Sequence, residues 1–117
     1  MDMTTAELKS LILKSVTFKD DGSIGKFPDN LMKLDSALST AGDWMQYLTA
    51  VIEMNRTGDI PNGSGFRWMV SHAVYKYDVA MGLAVLNYEK ANLSESEYLI
   101  RNAEVYNSAL RNSRSLD

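Results

Sequence analysis

Residues 29–56 read DNLMKLDSALSTAGDWMQYLTAVIEMNR. Leu31, Leu34, Leu38, Ala41, Met45, Leu48 and Ile52 recur at alternating spacings of three and four, a heptad seam over three repeats. Trp44, Tyr47, Val51 and Met54 widen the apolar face in the second half. Asp29, after Pro28, is the expected N-cap. Gly42 costs about 1 kcal/mol in a helix interior, but the seam passes through it without losing phase. The spacing therefore predicts one long helix over 29–56, bent at Gly42. Two helices broken near residue 41 is the alternative.

Other segments support an all-α fold. Thr4-x-x-Glu7 is a capping box that starts a helix over 4–16, with Leu8, Leu11 and Ile12 on its apolar side. Ser94-x-x-Glu97 starts a last helix over 94–113, with Leu99, Ala103, Tyr106 and Leu110 as its stripe. A third helix is expected over 65–91. The loop between, RTGDIPNGSG at 56–65, reverses the chain. It lacks the Gly-Lys-Ser/Thr ending of a phosphate-binding loop. Asp21-Gly22 marks a turn and a small hairpin over 17–27. The same stretch resembles the middle of a calcium loop, but in that register Thr17, Lys19 and Pro28 fall where carboxylates are required. The expected architecture is one domain, 1–117, an antiparallel bundle of four main helices at about 4–16, 29–56, 65–91 and 94–113.

Composition narrows the chemistry. The chain has 117 residues, a net charge of −3 and no cysteine. Thiolate catalysis, disulfides and cysteine-ligated metals are excluded. With one histidine and no Glu-x-x-His or His-Glu-x-x-His pattern, no metal or other cofactor is expected. Asp35, Asp43 and Glu53 are spaced as surface charges. No basic field is present, so nucleic acid is not the expected partner, and a nucleic-acid-binding adaptor is only an alternative reading. The acidic N-terminus MDMTTAELKS does not read as a signal peptide. The longest apolar run, Val79–Leu86, cannot span a bilayer, which needs about 20 residues. No membrane insertion is expected, and the expected location is the cytoplasm or an assembled particle.

Residues 65–91, GFRWMVSHAVYKYDVAMGLAVLNYEKA, are apolar on nearly every side. The polar stripe is narrow: Arg67, Ser71, Asp78, Gly82 and Glu89, widened for one turn by His72 and Lys76. Such a helix must be buried nearly all round. Either the other helices wrap it, or another chain covers its second face. At about 1.5 Å per residue its 26 or so residues would span about 39 Å, more than the first and last helices can shield, which favours a homo-oligomer. The candidate interface residues are Trp68, Met69, Ala73, Val74, Tyr77, Ala80, Met81 and Leu83. The many tyrosines and both tryptophans suit a protein–protein interface.

Arg67-x4-His72 is the sharpest catalytic candidate. It resembles the Arg-x4–6-His motif of HEPN-type ribonucleases, with Trp68 where that motif usually has a polar residue. The resemblance implies a small all-helical dimer that cleaves RNA at a composite site, with Arg67 and His72 from two chains as catalytic residues. The competing reading makes Arg67 a solvated residue and His72 a half-buried one bonded to a neighbour. No serine has a nucleophile-elbow context for a Ser-His-Asp triad, and Ser71 points about 100° from His72 on a helix. The preferred functional reading is a non-enzymatic helical protein that self-assembles or binds and inhibits a partner, of the kind found as phage or mobile-element structural or inhibitor proteins.

Overall fold

The Thr4 hydroxyl accepts from the Glu7 amide at 3.1 Å, and the Glu7 carboxylate accepts from the Thr4 amide at 3.4 Å. This reciprocal pair starts α1, Thr5–Ser15, in a computed structural model that describes residues 3–26, 34–82, 107 and 111. The expected stripe is the buried one: Leu8 and Ile12 are fully buried, and each contributes about 1.5–3 kcal/mol relative to exposure. The chain is mostly helical, and its described residues include one two-stranded sheet.

The hairpin is present. β1, Thr17–Phe18, pairs antiparallel with β2, Ile24–Lys26, with Thr17 opposite Lys26 and Phe18 opposite Ile24. The Gly22 amide donates to the Lys19 carbonyl and the Lys19 amide to the Ser23 carbonyl, closing a three-residue loop. Gly22 sits at φ +82, the left-handed conformation that such loops assign to glycine. Asp21 accepts from both the amide and the hydroxyl of Ser23, and these bonds lower its pKa.

The long helix over 29–56 is not continuous. Residues 34–37 are helical, and the backbone then leaves the helix at 38–40. A new helix, α2, runs Ala41–Arg56. The cause is a second capping box. The Thr40 hydroxyl accepts from the Asp43 amide, and Asp43 Oδ2 accepts from the amides of Ser39 and Thr40, all at 3.1 Å. Three backbone donors are thus satisfied locally where the chain leaves the helix. Gly42 then falls in the first turn of α2 rather than mid-helix. The break also resets the seam. Leu34, Leu38, Leu48 and Ile52 remain buried, whereas Ala41 and Met45 move to a half-buried face and Trp44, Tyr47 and Val51 take over the core side.

α2 packs mainly against α3, Ser64–Ala80, and α1 packs on α2. Between them Ile60 plugs the core at 1% exposure, its amide bonded to the Met54 carbonyl. Asn55 Nδ2 holds the loop by donating to the Ile60 carbonyl and Asn62 Oδ1, each at 3.0 Å. Lys9 Nζ lies 2.7 Å from the buried Glu53 Oε2, an ion pair between α1 and α2 that is not aligned as a hydrogen bond. Glu53 and Asp43 are thus structural rather than surface charges.

α3 is shorter than the expected helix over 65–91. It ends at Ala80; Met81 caps it and Gly82 turns left-handed at φ +69, a glycine stop. At 17 residues its length is about 25 Å. Its start is built on the hairpin: the Gly65 amide donates to the Gly22 carbonyl at 3.1 Å, so the turn satisfies a donor the helix cannot. Of the expected helix over 94–113, Asn107 and Arg111 are helical and exposed; the rest, with residues 83–91, lies outside the described residues.

Candidate functional site

His72 lies on the side of α3 that faces the 34–44 segment. Leu34 and Leu38 sit in the core while Asp35 stays at its edge, its side chain 39% exposed. There Asp35 Oδ1 is 3.1 Å from His72 Nε2, and Asp35 Oδ2 is 3.4 Å from Lys76 Nζ. His72 and Lys76 are four apart and so share one face of α3.

Aromatic rings enclose the histidine. Trp68 stacks on it, with centroids 4.8 Å apart and planes 9° from parallel. Trp44 meets it edge-on at 5.6 Å, and Tyr47 meets Trp44 edge-on at 5.5 Å. Lys76 Nζ stands 5.9 Å from the Trp44 ring centre. Burial pushes the His72 pKa below its usual 6.5; Asp35 pulls the other way, through its hydrogen bond and its charge, without restoring it, and Lys76 adds to the lowering. Burial, with the Asp35 charge, raises the Tyr47 phenol, so it stays a neutral hydroxyl. Leu34, Asp35, Leu38, Trp44, Tyr47, Trp68 and His72 line a cavity of about 20 Å³, room for one water molecule.

Arg67 is not part of this cluster. His72 is the fifth residue after it, about 140° around a helix at 100° per residue, and Arg67 is exposed. One chain does not bring the two together, so a composite ribonuclease site would need both residues of a second chain. Among the described residues no group of three or more His, Cys, Asp or Glu could hold a metal ion, and no helix is long and apolar enough to cross a membrane.

The candidate interface residues divide three ways. Met69, Ala73 and Val74 sit in the chain's own core at 1% exposure or less. Trp68 and Tyr77 are half-buried against it. Ala80 and Met81 are exposed, and Leu83 lies outside the described residues. The polar stripe also differs from the wheel. Ser71 is fully buried, its hydroxyl bonded to the Trp68 carbonyl at 3.0 Å, and Asp78 is 3% exposed. A serine that bonds back to its own helix does not need water. Among the described residues the surplus apolar surface of α3 is thus largely absorbed within the chain, and what remains exposed is its C-terminal end, where Val79 is 49% and Met81 51% exposed.

Sequence reasoning missed Asp35 and Lys76 as partners of His72. Only the i, i+4 spacing of His72 and Lys76 was available as a signal.

No family model, curated protein or solved structure matches this chain.

Proposed function

We propose that this is a non-enzymatic helical protein that acts by binding protein, first of all a second copy of itself. The observation that supports the reading most is the apolar last turn of α3, with Val79 and Met81 half-exposed beside Ala80. Solvent-facing Val and Met at adjacent turn positions are what a partner would cover. The pairing at the candidate site agrees with a role without chemistry. Asp35, His72 and Lys76 are spent on one another, and the cavity holds about one water. In this reading the chain is an antiparallel four-helix bundle that works in the cytoplasm or within an assembled particle.

Light scattering tests it. The wild type should exceed the monomer mass of 13.1 kDa at high micromolar concentration, and Met81→Arg should return it to the monomer with its circular dichroism unchanged. A wild type that stays monomeric at that concentration would refute self-association. RNA cleavage by the wild type that is lost in both Arg67→Ala and His72→Ala would overturn the non-enzymatic reading.

A further inference from the structure

We propose that Asn62-Gly63 is a site of covalent self-modification, at which the asparagine deamidates through a succinimide, and that the iso-aspartate product releases the hairpin from the start of α3. Of the chain's asparagines only Asn62 is followed by glycine. It is exposed, in the loop before α3. Glycine leaves the nitrogen of residue 63 unshielded by a Cβ. Packing requires that glycine: Gly63 is at φ +143, and a Cβ there would lie 2.8 Å from the Gly22 Cα and 3.0 Å from the Asp21 carbonyl oxygen. Among the described residues nothing accepts from the Gly63 amide or from Asn62 Nδ2. Nucleophile and leaving group are therefore both unbound. Asn62 Oδ1, by contrast, accepts from Asn55 Nδ2 at 3.0 Å. That donor sits on the oxygen where negative charge develops as the ring closes.

The Gly63 nitrogen gives its proton to hydroxide and attacks Asn62 Cγ. The Cγ–Nδ2 bond breaks, and the departing nitrogen takes a proton from water and leaves as ammonia, which regenerates hydroxide. A water molecule then opens the ring. Opening at Cγ gives aspartate, which still offers Asn55 an acceptor. Opening at the backbone carbonyl carbon gives iso-aspartate, whose main chain runs through Cβ and Cγ and is one carbon longer. The contact between Gly63 and Gly22 has no slack for that carbon, and the Gly65 amide holds the Gly22 carbonyl at 3.1 Å just beyond it. Asp21-Gly22 is the chain's other Asp-Gly or Asn-Gly pair, and there the fold blocks the same reaction. Its Gly22 amide donates to the Lys19 carbonyl at 2.9 Å, and its carboxylate is held by the Ser23 amide and hydroxyl. The site stands apart from the protein-binding reading.

The test is incubation of the whole folded chain in mildly alkaline buffer, followed by tryptic mapping. Cleavage after Arg56 and Arg67 isolates residues 57–67, in which Asn62 is the one asparagine. That peptide should gain the mass difference between water and ammonia and take up the label of an iso-aspartyl methyltransferase. Asn62→Gln should remove both signals. No gain in the folded chain, under conditions where the urea-unfolded chain is modified, would show that the loop forbids the attack and would overturn the site. So would iso-aspartate appearing equally fast at Asp21. The modified chain, separated by anion exchange, is then compared with Asn62→Asp, which carries the same charge on an unlengthened backbone. It should melt about 4–12 °C below Asn62→Asp and lose hydrogen-exchange protection at the Gly65 amide. Equal melting and equal protection in the two would overturn the release of the hairpin.

Discussion

Replacing Gly22 by alanine tests how the hairpin is joined to the helices. Gly22 is at φ +82, and a Cβ there would lie 2.1 Å from the Asn62 carbonyl oxygen and 3.1 Å from the Gly63 Cα. Both are backbone atoms, so no side chain can swing away. The left-handed conformation costs alanine about 1–2 kcal/mol. Pushing the 62–63 backbone aside adds about 1–3 kcal/mol, as overpacking does elsewhere. The total of about 2–5 kcal/mol is a large part of the roughly 5–15 kcal/mol that holds a domain together. For 117 residues the unfolding entropy is about 0.25 kcal/mol/K, so the melting temperature should fall by about 8–20 °C. Gly58 supplies the control. It is at φ +91, and nothing lies within 4 Å of the place a methyl group would take. Gly58→Ala should therefore show the conformational cost alone, about 4–8 °C. Thermal unfolding followed by far-UV circular dichroism measures both. Equal losses in the two variants would mean that the hairpin turn does not lie against the 62–63 backbone, and the reasoning would fail.

Elements specified by neighbours in sequence were legible. The capping box at Thr4 and Glu7 and the turn at Asp21-Gly22 are local devices, and both are where the residues place them. The break at 38–40 is also local, but the apolar seam obscured it. Leu34, Leu38, Leu48 and Ile52 are buried whether one helix carries them or two, so the spacing could not separate the cases. Thr40-x-x-Asp43 could have: aspartate at the third position reaches back to the cap as glutamate does, with two amides within 3.1 Å. Gly82 was similar. On the helical wheel it falls in the polar stripe of a helix running on to residue 91, whereas its freedom at positive φ makes it a stop.

The candidate site was less legible because its pairing is long-range. Asp35 and His72 are 37 residues apart, and no local pattern announces that the carboxylate meets the ring. The divergence of Arg67 and His72, by contrast, follows from helical geometry alone. The burial of Ser71 shows the limit of a helical wheel, which counts polarity but not the hydrogen bond a hydroxyl can make to its own backbone.

Three further outcomes are expected. Thr40→Ala should cost about 1 kcal/mol through the lost cap of α2, seen as a lower denaturation midpoint. Ile60→Ala should cost about 2–5 kcal/mol, because the loop residue is 1% exposed and leaves a cavity in the core; a loss like that of a surface substitution would show that the loop does not plug it. The last concerns His72 and acid. Its pKa in the folded chain is below the usual 6.5 because burial among Trp44 and Trp68 disfavours the charged ring more than Asp35 favours it. The fold therefore prefers neutral His72. The stability this gives is complete above about pH 6.5 and is lost as the pH falls from there through the lowered folded value. Asp21 and Asp43 also titrate below their usual value: the Ser23 bonds act on Asp21, and for Asp43 the bonds from Thr40 and Ser39 overcome its burial. Their stability is present above about pH 4 and lost below it, so their loss is separate from that of His72. Urea midpoints taken from about pH 8 down to about pH 5 should decline for the wild type. His72→Phe keeps a flat ring against Trp68 without a titrating group, and its midpoint should stay level over the same range. A wild type that gains stability on acidification would show that Asp35 outweighs burial, and the neutral imidazole assigned here would be wrong.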